Sequence, residues 1–311
     1  MRLGFVLPLI GPWAGPEALT RVATRAEELG LDSVWVTDRS LFPLDPQTPY
    51  PGGPLAEVYK WSLDPLDSLT YVAGQTTRIG LGSSIINLLW YSPVLLARRL
   101  TTIDVLSNGR LEVGLGQGWS KDEYDVAGTP WSNRGKRFDE ALEALYAVWT
   151  TDPVEFQGEF YSIPPSHPSI KPVQTPHPPV YLAAYTPAAM ARVARLTDGW
   201  HPTGIPLAAL PEMFASIQST ADDAGRDGSA LKLVVRANGG LTDDPLGDDR
   251  SDFWGTPEQI GADIARAREI GTHELLFDFT FDPDVKGVDD FVERLDVVAR
   301  AGKGATADVS A

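Results

Sequence analysis

Ile79-Gly80-Leu81-Gly82-Ser83-Ser84-Ile85-Ile86, then a periodic segment over 93–106, then Ser107-Asn108-Gly109, then Leu111-Glu112-Val113-Gly114-Leu115, reads as one β-α-β unit. The two flanking runs are short and almost continuously apolar, as strands buried on both faces are. The middle segment carries the 3.6-residue spacing of a helix, and Ser107-Asn108-Gly109 stops it. Two parallel strands joined by a helix are thereby predicted.

The same rhythm extends in both directions. Strands are expected over 3–8, 32–36, 79–86, 111–115, 180–184, 199–201, 231–237 and 273–279. Helices are expected over 16–29, 66–75, 93–106, 134–149, 187–196, 207–224, 257–270 and 288–301. Eight strands each followed by a helix mean a parallel sheet covered by helices, and eight units in sequence favour closure. The expected fold is therefore α/β, a single (β/α)8 TIM barrel spanning 1–311. The rhythm breaks once, over about 152–178. There Val154 to Ile163 reads as a short β-hairpin around Gly158, followed by a Pro-rich run to Pro179. This is read as an insertion, and residues 302–311 are expected to form a disordered tail.

The bulk numbers exclude several chemistries. The 311 residues are 43% hydrophobic and 22% charged, ordinary for a globular protein. There is no cysteine, so thiolate metal sites and cysteine nucleophiles are out. A formal net charge of −16 argues against nucleic acid as a partner. No apolar stretch approaches the ~20 residues of a membrane span, and the N-terminus lacks a signal-peptide pattern, so no membrane contact and a cytoplasmic location are expected. No metal site is expected, because the four histidines follow no ligand spacing. His167 and His177 are assigned to the surface, and His273 to a structural role. The acidic cluster Asp243, Asp244, Asp248 and Asp249 reads as a solvated loop, and no Gly-x-Ser-x-Gly elbow offers a hydrolase nucleophile.

In a barrel, chemistry sits on the loops after the strands. One of these, 37–60, is far longer than the usual two to six residues or so and carries Tyr50 and Tyr59, with Trp61 just beyond. It is expected to be a lid or pocket wall. Gly114-Leu115-Gly116-Gln117-Gly118-Trp119 follows a strand but lacks the dinucleotide spacing. It reads either as a close-approach loop for a flat ring or phosphate, or as a tight turn at the barrel rim. Ala184-Tyr185-Thr186-Pro187 leads into a helix, with Thr186 as N-cap and Pro187 in the first turn. It reads as a phosphate site or simply as a capped helix. His201 follows Asp198-Gly199-Trp200 at a strand end, a plausible pocket position.

These segments, taken in order, resemble the luciferase-like monooxygenase superfamily. The resemblance is carried by Ser33 to Asp38, Arg78 to Gly82, Pro93 to Ala97, Thr102 to Arg110, Gly114 to Trp119, Ala184 to Ala189 and Ala194 to Trp200, over most of the chain. It implies a flavin or deazaflavin ring at the C-terminal face. In the deazaflavin (coenzyme F420) branch a non-proline cis peptide forms a bulge behind the ring, and the matching bond is Ser84-Ile85. The resemblance places Asn87 near the ring. It assigns Gly116, Gln117, Gly118 and Trp119, with Ala184, Tyr185 and Thr186, to cofactor binding, and sets Asp38 close to the reactive carbon. Asp38, with His201 second, is the expected catalytic group.

Three departures stand out. Arg39 occupies a position where the family often has His. Trp119 stands where the glucose-6-phosphate dehydrogenase subgroup has a carboxylate, so sugar-phosphate oxidation is not expected. Gln117 replaces an Arg of the phosphate loop. The expected activity is hydride transfer between coenzyme F420 and a small organic substrate. The alternatives are an FMN-dependent monooxygenase using reduced flavin and O2, and a barrel that binds flavin without turnover. The family suggests a homodimer through the helices after strands two and three.

Overall fold

The computed structural model describes residues 1–307. Its barrel strands are β1 (Arg2–Val6), β2 (Ser33–Val36), β3 (Gly80–Ser83), β4 (Leu111–Gly116), β5 (Val180–Leu182), β6 (Gly199–Trp200), β7 (Lys232–Asn238) and β8 (Glu274–Asp278). Each pairs in parallel with the next, and β8 pairs with β1 through Arg2↔Glu274 to Phe5↔Phe277, which closes the ring. The barrel expected from the sequence is the one observed.

The helices α1 (Pro16–Leu29), α2 (Pro65–Ala73), α3 (Pro93–Leu106), α4 (Lys121–Val126), α5 (Arg134–Thr150), α6 (Pro187–Leu196), α7 (Leu210–Asp223), α8 (Pro257–Glu269) and α9 (Val288–Ala307) follow in chain order. Short-range chemistry sets several ends. Gly30 stops α1 in the left-handed conformation at φ 81°. Asp64 accepts from the backbone N–H groups of Leu66 and Asp67 to start α2, and Thr256 with Gln259 forms a capping box on α8. None of the helices among the described residues is long and apolar enough to cross a membrane.

Some expectations need correction. The third strand does not run unbroken over 79–86: it halts at Ser83, and Ile86–Asn87 pairs with β4 beyond a break at Ser84-Ile85. The segment 207–224 is a 3-10 turn at Leu207–Ala209 followed by α7. The short α4 was not foreseen. Helix α9 continues to Ala307, through most of the tail expected to be disordered, and 308–311 lie outside the described residues. The hairpin of the insertion is present, with Val154–Gln157 antiparallel to Ser162–Ser166. His177 is not a free surface group but stacks on Trp149 with ring centres 5.8 Å apart.

Two apolar layers form. The larger lies between strands and helices. The smaller fills the barrel itself with Val6, Trp35, Tyr181, Val234 and Leu276, all fully buried. Trp35 takes so much of this lumen that a Cβ at Gly82 would lie 2.2 Å from its ring. Below Trp35, Arg2 pairs with Glu112 at 2.5 Å and with Glu274 at 3.0 Å, while the Trp35 indole N–H donates to Ser33 Oγ at 2.6 Å. The lumen is therefore plugged from the middle downward, and only the C-terminal end is left for a site.

Candidate active site

At that end the chain builds a bulge and pins it from several directions. Ser84-Ile85 is a cis peptide, at the bond the resemblance singled out. The Ser84 carbonyl accepts from Arg236 Nη1 at 3.1 Å. Arg236 is held in turn by Asp278, whose Oδ2 lies 2.9 Å from Nε and also contacts Nη2. The Ser84 hydroxyl meets His201 Nε2 at 2.8 Å, and His201 Nδ1 lies 2.6 Å from the Val234 carbonyl. A carbonyl only accepts, so Nδ1 carries the imidazole proton and Nε2 accepts from Ser84. Burial pushes the His201 pKa down to about 4, which keeps the ring neutral. With both nitrogens engaged and 2% of its surface exposed, His201 is arranged to orient Ser84.

The glycine loop is explained by the same bulge. A Cβ on Gly114 would sit 2.0 Å from the Ser83 carbonyl oxygen, and one on Gly116 would sit 1.7 Å from Ile85 Cδ1. Both glycines let the third strand cross close against β4. Gly118 differs: its φ is +77°, and a Cβ there would meet Asn87 Oδ1 at 2.8 Å. The buried Tyr124 donates its hydroxyl proton to the Gln117 carbonyl, which fixes the loop's path.

Asp38 lies at the mouth beside this loop. Its Oδ2 accepts from the Asn87 backbone N–H at 3.2 Å, so two of the expected site residues meet directly. Burial, with the charges of Glu123 and Asp64 nearby, lifts its pKa to about 7. A carboxyl of that kind can hold or release a proton near neutrality, a property that clusters at functional sites.

The long 37–60 loop closes over one side. Glu123 on α4 accepts from the Ser40 backbone N–H and hydroxyl, each at 3.0 Å, and its other oxygen lies 3.1 Å from Arg39 Nη1. The Thr48 hydroxyl accepts from the Lys121 N–H at 2.8 Å. Farther along, Gly11 N–H donates to the Trp61 carbonyl at 3.0 Å, and Ile10 bridges to Ser62. Between these anchors Tyr50 packs on Trp119 with ring centres 5.2 Å apart, and Tyr59 packs on Phe281 at 5.6 Å.

The loop from Ala184 to Thr186 stands to one side. Thr186 caps α6 by accepting from the Ala189 N–H at 3.3 Å. The Tyr185 hydroxyl accepts from the Thr203 N–H at 3.1 Å, and the Ala184 carbonyl accepts from the Trp200 indole at 2.9 Å. Tyr185 and Thr186 are exposed. None of the three makes a side-chain hydrogen bond to the Ser84 cluster among the described contacts.

Several residues at the mouth went unrecognised in the sequence: Arg236, Asp278 and the Arg39–Glu123 pair. A signal existed for the first two, since each is a charge that follows an apolar run late in its strand, Val234-Val235-Arg236 and Leu276-Phe277-Asp278.

The residues fit a flat, polar-edged ring. Buried Thr203 Oγ1, just past β6, and Asn238 Oδ1, at the end of β7, have no partner among the described residues. Ile85, Gln117 and Gly118 are only half-buried, and Tyr185 and Thr186 at the α6 N-terminus are exposed, where an anionic tail could be met.

Comparison with known proteins agrees. A protein of Mycobacterium tuberculosis described only as uncharacterised is 33% identical over 303 residues, covering 95% of this chain and 97% of that one. An F420-dependent glucose-6-phosphate dehydrogenase of Amycolatopsis mediterranei is 33% identical over 190 residues, 60% of this chain and 53% of the relative. An FMNH2-dependent dimethylsulfone monooxygenase of Pseudomonas putida is 32% identical over 150 residues, 47% and 40% of the two chains. The solved structure of an F420-dependent secondary alcohol dehydrogenase with an F420-acetone adduct superposes with a TM-score of 0.79 at 19% identity, covering 97% of this chain and 98% of that one. The model of the family described as luciferase-like monooxygenase matches residues 5–245. With its closed barrel, its pinned Ser84-Ile85 bulge and that match over most of its length, this chain belongs to the luciferase-like monooxygenase family.

Proposed function

We propose that the protein is an oxidoreductase that transfers a hydride between coenzyme F420 and a small organic substrate. The observation that carries this reading is Asp38, a carboxyl lifted to about 7 and bonded to Asn87 at the edge of the bulge. A bound deazaflavin supplies the two-electron chemistry, and the protein supplies orientation and electrostatics. Ser84 and Ile85 present the platform, held by His201 and Arg236 as positioning residues. Gln117, Gly118 and Asn87 would hold the ring, and Tyr185, Thr186 and the α6 N-terminus would hold its tail. Asp38 holds the proton that must enter or leave the substrate as hydride moves. Trp119, half-buried under Tyr50, leaves no carboxylate at the position that the sugar-phosphate subgroup uses, so the substrate is of another class.

The second reading, an FMN-dependent monooxygenase on the same loops, is favoured by the FMNH2-dependent relative. Fluorescence titration with oxidised F420 and, separately, with FMN decides between them. Saturable micromolar binding of F420 with FMN at least tenfold weaker is expected. The reverse order would make oxygen consumption the assay, and binding of neither would sink both readings.

The homodimer belongs to the same proposal. Apolar side chains stand exposed on the expected helices, with Tyr71 on α2 at 40% and Leu95 and Leu106 on α3 at 58% and 60%. Burial of these side chains against a second copy would remove their apolar surface from water. Light scattering is expected to give twice the chain mass, and Leu95→Glu combined with Leu106→Glu to give a monomer. A monomeric parent would refute it.

A further inference from the structure

Arg39 is buried to 6% exposure yet only partly paired. Among the described residues its sole acceptor is Glu123, reached through Nη1 at 3.1 Å. The Nε and Nη2 atoms are buried and have no partner among the described residues. Two other arginines buried as deeply are better satisfied. Arg192 reaches Asp139 and the Gly135 carbonyl, and Arg294 reaches Asp282, Glu293 and the Asp290 carbonyl. Glu123 cannot turn to complete the pairing, because its second oxygen is taken by the Ser40 N–H and hydroxyl. What is left is the Nε/Nη2 edge of a guanidinium, the edge whose parallel N–H groups match the two oxygens of a carboxylate.

The surroundings define what could use that edge. The guanidinium carbon lies 4.7 Å from the centre of the Trp119 ring and 5.3 Å from that of Tyr59, so aromatic faces fix its plane. Tyr50 joins both, packing on Trp119 and meeting the Tyr59 hydroxyl with its own at 3.3 Å. Asp38 is the preceding residue, bonded to Asn87 beside the bulge. A charged fork and an aromatic clamp thus meet at the mouth, on the residue that follows Asp38.

We infer that Arg39 is the specificity-determining residue of this site and that it receives the carboxylate of a conjugated or aromatic organic acid. The inference deepens the hydride-transfer reading, on which it rests for taking this corner as the substrate side. The planar anion could also belong to the cofactor's own tail, and the experiment separates the two sources.

The test is calorimetric titration of the purified protein with benzoate and with its neutral isostere benzamide, at pH 8 and low salt. Benzoate is expected to bind at least tenfold more tightly. Arg39→Met is expected to bring benzoate down to the benzamide level, and Arg39→Lys to restore only part of the preference, since a point charge lacks the fork. Glu123→Gln keeps the guanidinium and removes its competing charge, so benzoate affinity should rise several-fold. Equal binding of benzoate and benzamide, binding of neither, or a preference that survives in Arg39→Met would overturn the inference. If Arg39→Met does not fold, unchanged benzoate affinity in Glu123→Gln overturns it instead. F420 affinity of Arg39→Met should equal that of the parent, and a tenfold loss would assign the fork to the cofactor tail. A parent that binds benzoate selectively but neither F420 nor FMN would refute the proposed function and leave the anion site standing.

Discussion

Asp38→Asn is expected to lower kcat by about 10²–10³-fold, the span typical for loss of a positioned proton donor, with F420 affinity held within about threefold. The amide keeps the shape and can still accept from the Asn87 N–H at the same place, so the platform is undisturbed. In the reductive direction the parent's kcat/KM should fall as pH rises through about 7, where Asp38 loses its proton. The variant should show a low, flat profile over that range. A parent profile with no inflection between pH 6 and 8, or a variant of near-parental rate, would remove Asp38 from the chemistry.

The same shift has a stability consequence of definite sign. Asp38 stays protonated in the folded chain up to about 7, whereas in the unfolded chain it ionises near its ordinary value of 3.8. The folded state therefore binds more protons between those limits, and its stability falls as pH rises through that window. Asparagine mimics the neutral form at every pH. Asp38→Asn should match the parent near pH 4 and exceed it by about 1–3 kcal/mol at pH 8 in urea denaturation. Glu274, also lifted to about 7 by burial and by Glu112, keeps a slope in both proteins, so the difference between them is the quantity to read.

Arg236→Met should produce the largest loss of stability, about 3–5 kcal/mol, because it strands a buried charge. Asp278 has no exposed side-chain surface, and Arg236 is its counter-ion. The Ser84 carbonyl loses its Arg236 bond at the same time. Arg236→Met combined with Asp278→Asn should regain more than half of the loss, since the stranded charge is then gone. F420 binding should remain weakened in both variants if the bulge is what Arg236 serves. A cost below about 1 kcal/mol for the single variant would show the pair to be dispensable.

The candidate site was legible in the sequence only in part. Asp38 was singled out because it closes a stretch that resembles a family, and Asn87 and the Ser84-Ile85 bond because they lie between two such stretches; Asp38 and Asn87 meet in the structure. His201 was expected at a pocket position, and the structure buries it against Ser84, a task that was not readable. The Ser84 hydroxyl that occupies it is 117 residues away, and the Val234 carbonyl is 33. Gly114 and Gly116 read as a possible cradle for a ligand, whereas the atoms that demand glycine there belong to Ser83 and Ile85 on the neighbouring strand. Arg39 was noticed only as a departure. That its partner would be Glu123, 84 residues on, could not be inferred from either segment.

By itself the sequence determined the eight-fold β/α alternation, several of the helix ends and the hairpin insertion, because apolar periodicity and capping act over a few residues. The Gly30 stop, the Thr186 cap and the hairpin around Gly158 all lie where local chemistry puts them. Tertiary structure alone decided which polar groups are spent on holding the bulge and which are left for a ligand. Those pairings join the ends of different strands, which become neighbours only when the barrel closes. The protonation of Asp38 and His201 was settled there too, since a pKa follows from what surrounds a group on every side.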